Sequence, residues 1–156
     1  MSIGSLDAAL AGVGLVAIDT SVWLAFMTTA DTTHHLARHL FRRVAADDDP
    51  LRAEASMVTV TEALVRPARA GTVDLARMRA YLAAFPHLRL VPVELEIATT
   101  AAVVRARTCL KTRDALIVAS AVVNRADAVV TNDDAWAKQL ATAYPAIRWV
   151  GLRAHR

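Results

Sequence analysis

Four acidic residues lie where the hydrophobic pattern of the chain changes from strand-like to helix-like. They are Asp19, Glu62, Asp114 and Asp133, in the stretches VGLVAIDTSVW, ASMVTVTEAL, LKTRDALIVASAVV and DAVVTNDDAW. Strands that alternate with helices usually build a parallel sheet, and such sheets place ligands outside the carboxyl ends of their strands. The four carboxylates could therefore meet at one edge of the fold. No Lys or Arg accompanies them in a regular pattern, so such a cluster would need a divalent cation.

Each acid also has a purely structural interpretation, as a residue that caps or begins a helix. Asp19 could cap a first helix, residues 59–62 match a capping box, and Asp133 could begin a late helix. In a first helical turn, the negative charge of Asp114 would gain about 0.3–1 kcal/mol from the helix dipole. Neutral capping residues stand beside every acid, however, so capping does not require the acids. Like charges gathered at one edge would repel one another unless a cation binds.

The other side chains with metal-binding chemistry form no complete site. His35 and His39 are four residues apart on a predicted helix without a third ligand, which favours surface or core roles. The single cysteine, Cys109, has no His or Cys partner beside it, so we interpret it as an inert buried thiol typical of a reducing compartment. Hard oxygen ligands without a His/Cys pattern select Mg²⁺ or Mn²⁺ over zinc.

The hydrophobic pattern predicts the elements that would position the acids. Strands are predicted at residues 15–18, 56–60, 88–93, 128–131 and 147–152, and helices at residues 21–27, 33–46, 61–66, 72–85, 94–108, 112–125 and 134–144. This order of βα units predicts an α/β fold, a three-layer α/β/α sandwich with a mainly parallel central sheet. We divide the chain into an N-terminal extension, residues 1–14, and a single domain, residues 15–156.

Composition limits the class of protein. A chain of 156 residues suits one domain, and a hydrophobic content of 55% fits a covered central sheet rather than disorder. The apolar residues 8–18 lack a basic leader and a cleavage site and are too short to span a membrane, which predicts a cytoplasmic protein. The net charge of +3 permits an anionic partner without identifying it.

Four short stretches together resemble the motifs of PIN-domain nucleases, and among these the VapC toxins of bacterial toxin–antitoxin pairs. The stretches are Asp19-Thr20-Ser21, Thr61-Glu62, the helix start DALIVA at Asp114, and Thr131-Asn132-Asp133 followed by Trp136. The resemblance covers residues 15–152 and rests on the ordered set rather than on any single motif. It implies that Asp19, Glu62, Asp114 and Asp133 are catalytic and bind metal, with Ser21 and Thr131 in support. Asp134 directly follows Asp133, so either could face the metal, although the spacing from Thr131 favours Asp133.

The resemblance implies a magnesium-dependent endoribonuclease that is the toxin of a type II toxin–antitoxin pair. One or two Mg²⁺ ions, for which Mn²⁺ could substitute, would activate water for attack on an RNA phosphodiester. A VapB-like antitoxin would occupy the groove near the acids, and the protein would form a homodimer without membrane association. The predicted helices at residues 33–46 and 72–85 could supply an interface. The candidate RNA contacts are Arg113, followed by the weaker Arg66, Arg69, Lys111 and Lys138.

Three alternatives stay open on the sequence. A nuclease of this fold could act on structured DNA or in RNA maturation without an antitoxin. A receiver-like regulatory module also gathers acids at strand ends, but it normally has an adjacent acidic pair where this chain has Asp19-Thr20. A dinucleotide-binding domain fits poorly, because Gly12-Val13-Gly14 precedes its strand and no third glycine follows.

Overall fold

Five parallel strands form one sheet in a computed structural model, which describes residues 3–155 apart from the side chains of residues 137 and 138. The strands are β1 (Leu15–Ile18), β2 (Arg52–Ser56), β3 (Leu88–Val91), β4 (Ala128–Thr131) and β5 (Arg148–Gly151). The helices are α1 (Ile3–Ala9), α2 (Thr20–Met27), α3 (His34–Ala45), α4 (Met57–Ala70), α5 (Thr72–Ala83), α6 (Leu95–Thr108), α7 (Thr112–Val123) and α8 (Asp134–Ala143), followed by a 3₁₀ helix (Leu152–His155). The predicted α/β class with a parallel sheet is confirmed.

The helices cover both faces of the sheet, which makes the three predicted layers. Alternate residues of β1 point to opposite faces: Val16 and Ile18 join a core with α1 to α5, whereas Ala17 joins a second core with α6 to α8. A strand buried on both faces reads as a continuous apolar run, which is why LVAI was recognisable in the sequence. Among the described residues, no helix has the length and apolar character needed to cross a membrane.

The strand order is β3-β2-β1-β4-β5, so the chain reverses its direction of winding beside β1. From β1 it proceeds outward through β2 and β3, and it then returns to place β4 on the other side of β1. Ligands in open parallel sheets bind at such a reversal, outside the carboxyl ends of the two strands. Asp19 directly follows β1, and Asp133 lies two residues beyond β4.

The strand predicted at residues 56–60 is wrong. The observed β2 ends at Ser56, whose hydroxyl accepts a hydrogen bond from the Val58 amide at 3.3 Å and caps α4. The β-branched run VTVT therefore folds as helix, because parallel pairing of residues 52–56 with both neighbouring strands outweighs local propensity. The helix predicted at residues 61–66 is also too short, since α4 continues through Pro67 to Ala70.

The segment before β1 contributes to the core. Leu6, Leu10 and Val13 are buried, and Asp7 accepts hydrogen bonds from His39 Nε2 at 2.8 Å and Arg43 Nη1 at 3.1 Å, which joins α1 to α3. The division of the chain at residue 14 stays a prediction. The interpretation of Cys109 as buried is wrong: it is exposed, in a left-handed conformation at the end of α6.

Candidate active site

The four predicted acids line one cavity of about 400 Å³ at the winding reversal of the sheet. The cavity is also lined by Ser21, Arg66, Arg113, Trp136 and the apolar Leu24 and Val65. Side chains from four distant parts of the sequence thus meet at one place, and they come from α2, α4, α7 and the start of α8 or the residues directly before them.

The acids reach this cavity by two different routes. Asp19 and Asp133 are the residues directly before α2 and α8, at the carboxyl ends of β1 and β4. Glu62 lies inside α4, and Asp114 is the third residue of α7, which follows α6 rather than a strand. The expectation that all four acids lie at strand-to-helix junctions is therefore wrong for Glu62 and Asp114, which packing of α4 against α7 brings to the site.

Asp19 is the buried member of the set, with 5% of its surface exposed. Its Oδ2 accepts hydrogen bonds from Ser21 Oγ at 2.5 Å and from Thr131 Oγ1 at 2.8 Å. Burial raises the pKa of the Asp19 carboxyl, and these hydrogen bonds oppose that effect only in part. The hydrogen bonds therefore hold the carboxylate in place, but they do not fully compensate its charged form for the loss of water. A bound cation would supply the missing stabilisation.

The hydroxyls on Asp19 also connect β1 to β4. Ser21 Oγ accepts from the Asn132 amide at 2.9 Å, and Thr131 Oγ1 accepts from the Asp133 amide at 3.0 Å. The buried Asn132 side chain donates to Thr33 Oγ1 at 2.9 Å and so fixes the loop before α3. Thr33 was missed as a part of this network, because no local pattern relates it to Asn132, 99 residues away.

The positively charged side chain of Arg113 lies among the carboxylates. Its Nε donates to Asp114 Oδ1 at 2.8 Å and its Nη1 donates to Glu62 Oε1 at 2.9 Å. Both contacts raise the pKa of Arg113, the Asp114 bond most. The sequence has no regular pattern of Lys or Arg beside the acids, but this one arginine pairs with two of them. The second oxygen of Glu62, Oε2, is buried and has no hydrogen-bond partner among the described residues.

Asp133 and Asp134 point to different surroundings. Asp133 lines the acidic cavity, and its Oδ1 accepts from the Ala135 amide at 2.9 Å, so it also caps α8. Asp134 lines another cavity, beside Arg148 and Gly151 of β5. Asp133 therefore does cap a helix, although neutral capping residues stand beside it. The position of Asp133 in the acidic cavity favours Asp133 over Asp134 as the acid that faces the site.

The donor set fits a hard divalent cation, but the side chains would have to rearrange to hold one. Carboxylate oxygens are the preferred ligands of Mg²⁺ and Mn²⁺, and Glu62 Oε2, which has no hydrogen-bond partner among the described residues, is available as a metal ligand. As placed, no three His, Cys, Asp or Glu side chains within the described part of the chain could jointly hold a metal ion. The guanidinium of Arg113 already uses one oxygen each of Glu62 and Asp114.

The family of the chain is established by a match to the PIN domain over residues 16–141. The chain belongs to the PIN domain family, and this replaces the receiver-like and dinucleotide-binding interpretations. A search of characterised proteins found no match to the sequence.

Solved structures share the fold at low sequence identity. VapBC2 from Rickettsia felis, bound to a DNA fragment from its promoter, has a TM-score of 0.64 and 11% identity over 88% of this chain and 98% of that chain. The Mycobacterium tuberculosis VapC20, a sarcin-ricin loop cleaving toxin, has a TM-score of 0.63 and 18% identity over 79% of this chain and 93% of that chain. A toxin–antitoxin complex from Klebsiella pneumoniae has a TM-score of 0.60 and 21% identity over 85% of this chain and 94% of that chain.

Proposed function

We propose that this protein is a Mg²⁺-dependent endoribonuclease and the toxin of a type II toxin–antitoxin pair, acting in the cytoplasm. The observation that carries the proposal is the convergence of Asp19, Glu62, Asp114 and Asp133 on one cavity at the winding reversal of the sheet. Membership of the PIN domain family and the fold shared with toxin–antitoxin proteins support it. The cleavage reported for VapC20 favours RNA as the substrate.

Asp19, Glu62 and Asp114 would be the main metal ligands, and Asp133 would complete the set directly or through water. Bound Mg²⁺, or Mn²⁺ in its place, would supply charge stabilisation at phosphorus and a water of lowered pKa. Ser21 and Thr131 hold the Asp19 carboxylate in one orientation, so this metal ligand would already be ordered before metal binds. The same hydroxyls accept hydrogen bonds from the Asn132 and Asp133 amides, which fixes the segment that carries Asp133.

Basic side chains at the cavity would bind the RNA backbone. Arg66 and Arg113 both line the cavity, and Arg113 is 56% exposed at its side chain. Guanidinium groups bind phosphate oxygens through parallel hydrogen bonds, which positions a strand without reading its sequence. The apolar Leu24 and Val65 complete the rim of the cavity.

An antitoxin segment would bind across the apolar surface next to the acids. A neighbouring cavity of about 600 Å³ shares Arg66 with the acidic one and is lined by Phe26, Met27, Met78 and Tyr81. A surface with an apolar floor and charged margins suits an extended or helical peptide. The Klebsiella structure is a toxin–antitoxin complex and the Rickettsia structure is VapBC2 bound to promoter DNA, which supports a VapB-like partner.

A homodimer remains part of the proposal, with a narrower choice of interface. Of the two helices predicted to supply an interface, α3 buries its apolar side chains Leu36, Leu40, Phe41 and Val44 in the core of the chain, so they are not available for a partner. Helix α5 keeps Val73 exposed outside the cavity assigned to the antitoxin, so it is the candidate that remains of the two predicted helices.

The proposal predicts metal-dependent cleavage that requires Asp114. Asp114→Asn removes the charge with almost no change of shape, so we expect a folded protein whose cleavage of total bacterial RNA falls at least about 100-fold. Wild-type protein should give discrete fragments with Mg²⁺ or Mn²⁺ and none with EDTA.

A parallel digestion of single- and double-stranded DNA separates the competing nuclease function. Metal-dependent cleavage of DNA but not of RNA would replace the endoribonuclease by a deoxyribonuclease of the same family. Equal RNA cleavage by the wild-type protein and the Asp114→Asn variant would contradict the assignment of the site.

A further inference from the structure

The guanidinium of Arg113 occupies the same carboxylate oxygens that a metal ion would need. It joins the first turn of α7 to the middle of α4, through Asp114 Oδ1 at 2.8 Å and Glu62 Oε1 at 2.9 Å. The two bonds use different nitrogens, so the planar guanidinium contacts both acids at once in a fixed fork geometry.

We propose that Arg113 is the resident counter-ion of the acidic cavity, and that a divalent metal and this guanidinium occupy Glu62 and Asp114 in alternation. The inference rests on the proposed metal-dependent function and adds an exchange that precedes it. A cation bound to these two carboxylates would compete for their oxygens and repel the guanidinium. With its side chain 56% exposed, Arg113 can move into solvent when it is displaced.

The contact is specific to Arg113 among the guanidinium groups that line the cavity. Arg66 lines it too, but its Nη1 donates to the hydroxyl of Thr28 at 3.4 Å rather than to an acid. Removing Arg66 changes the net charge near the site without freeing a carboxylate oxygen. The two residues therefore separate a direct competition for ligands from a general electrostatic effect.

The exchange has a consequence for both states of the protein. Without metal, the single positive charge of Arg113 is shared between Glu62 and Asp114 and offsets one of their two negative charges, which limits the mutual repulsion of the acids. With metal, the released guanidinium, whose side chain is 56% exposed, would be free to bind an RNA phosphate. Loading of the site would thus make a phosphate-binding group available only when the cleavage machinery is complete.

The test measures Mn²⁺ affinity by calorimetric titration of the full chain, with the wild-type protein, Arg113→Gln, Arg66→Gln and Asp114→Asn. Partly exposed ion pairs are individually weak, so we expect Arg113→Gln to bind Mn²⁺ about three- to tenfold more tightly than the wild-type protein. Arg66→Gln should change the affinity by less than about twofold. Arg113→Lys keeps the charge but loses the planar fork, so its affinity should lie between those of the wild-type protein and Arg113→Gln.

The outcomes separate this inference from the proposed function. Unchanged or weaker Mn²⁺ binding by Arg113→Gln, with binding still abolished by Asp114→Asn, would overturn the exchange and leave the metal site intact. No Mn²⁺ binding by any of the proteins would overturn the metal site together with the exchange. Circular dichroism of each variant establishes that it is folded, and Arg113→Lys provides the comparison if Arg113→Gln does not fold.

Discussion

Asp19 is subject to opposing requirements of stability and function. It is almost fully buried, and burial raises its pKa despite the hydrogen bonds from Ser21 and Thr131. An ionised carboxylate in this position lowers the stability of the metal-free protein, whereas a bound divalent cation would turn the same charge into a favourable contact. Functional sites commonly hold such strained groups, because the ligand supplies the missing interaction.

Asp19→Asn should therefore stabilise the metal-free protein. Because the folded-state pKa of Asp19 lies above its unfolded value, its contribution to stability is complete at pH values below the unfolded pKa and is lost as the pH rises through the folded pKa. At neutral pH in EDTA we expect the variant to be more stable by about 1 kcal/mol, or roughly 2–4 °C in Tm, with the difference shrinking towards acidic pH.

The same variant should lose the response to metal. Mg²⁺ should raise the Tm of the wild-type protein, because a ligand that binds only the folded state stabilises it, and should leave Asp19→Asn unchanged. Thermal unfolding of both proteins in EDTA and in Mg²⁺, at acidic and at neutral pH, measures both effects. A variant that is less stable than the wild-type protein in EDTA at neutral pH would contradict this account of Asp19.

The adjacent acids Asp133 and Asp134 should differ in their effect on RNA cleavage. Asp133→Asn keeps a side-chain oxygen that can cap α8 through the Ala135 amide, but it removes a charge from the acidic cavity, so cleavage should fall at least about tenfold. Asp134→Asn makes the same chemical change beside β5, outside that cavity, and should cleave like the wild-type protein. The reverse order of activities would assign the site to Asp134.

Among the strands, the hydrophobic pattern of the sequence predicts those that are buried and composed of apolar residues with high strand propensity. The run LVAI before Asp19 and the run AVVT before Asn132 are buried strands in sequence and structure alike. The strand RAEAS escapes prediction because Glu54 is buried mid-strand, with its Oε2 held by Arg89 Nη2 at 2.6 Å. A charged residue paired across strands cannot be recognised from its own segment.

Helix α1 is the element whose importance the sequence understates. Leu6 is fully buried in the core beneath α3, although the segment before β1 reads as an extension. Leu6→Ala should lower the free energy of unfolding by about 2–5 kcal/mol, because truncation leaves a cavity in a packed interior. Ile3→Ala, on the same helix but 39% exposed, should cost less than about 1 kcal/mol. Chemical denaturation of both variants measures this difference, and equal small effects would make α1 dispensable.

At the scale of the whole molecule, the position of the site follows from the strand order. A parallel sheet could be predicted from alternating strands and helices, and it implied that Asp19 and Asp133 share an edge. The order β3-β2-β1-β4-β5 could not be predicted, since it depends on which face each helix covers. Glu62 and Asp114 reach the cavity through contact of α4 with α7, and the bridging role of Arg113 depends on that contact.

Diffraction from crystals soaked in Mn²⁺, recorded at the manganese absorption edge, would show whether a metal ion binds in the acidic cavity. We expect an anomalous peak in the cavity lined by Asp19, Glu62, Asp114 and Asp133, with the Arg113 side chain turned away from Glu62 and Asp114. Absence of a peak in this cavity at saturating Mn²⁺, with Arg113 still bound to both carboxylates, would contradict the assignment of these acids as a metal centre.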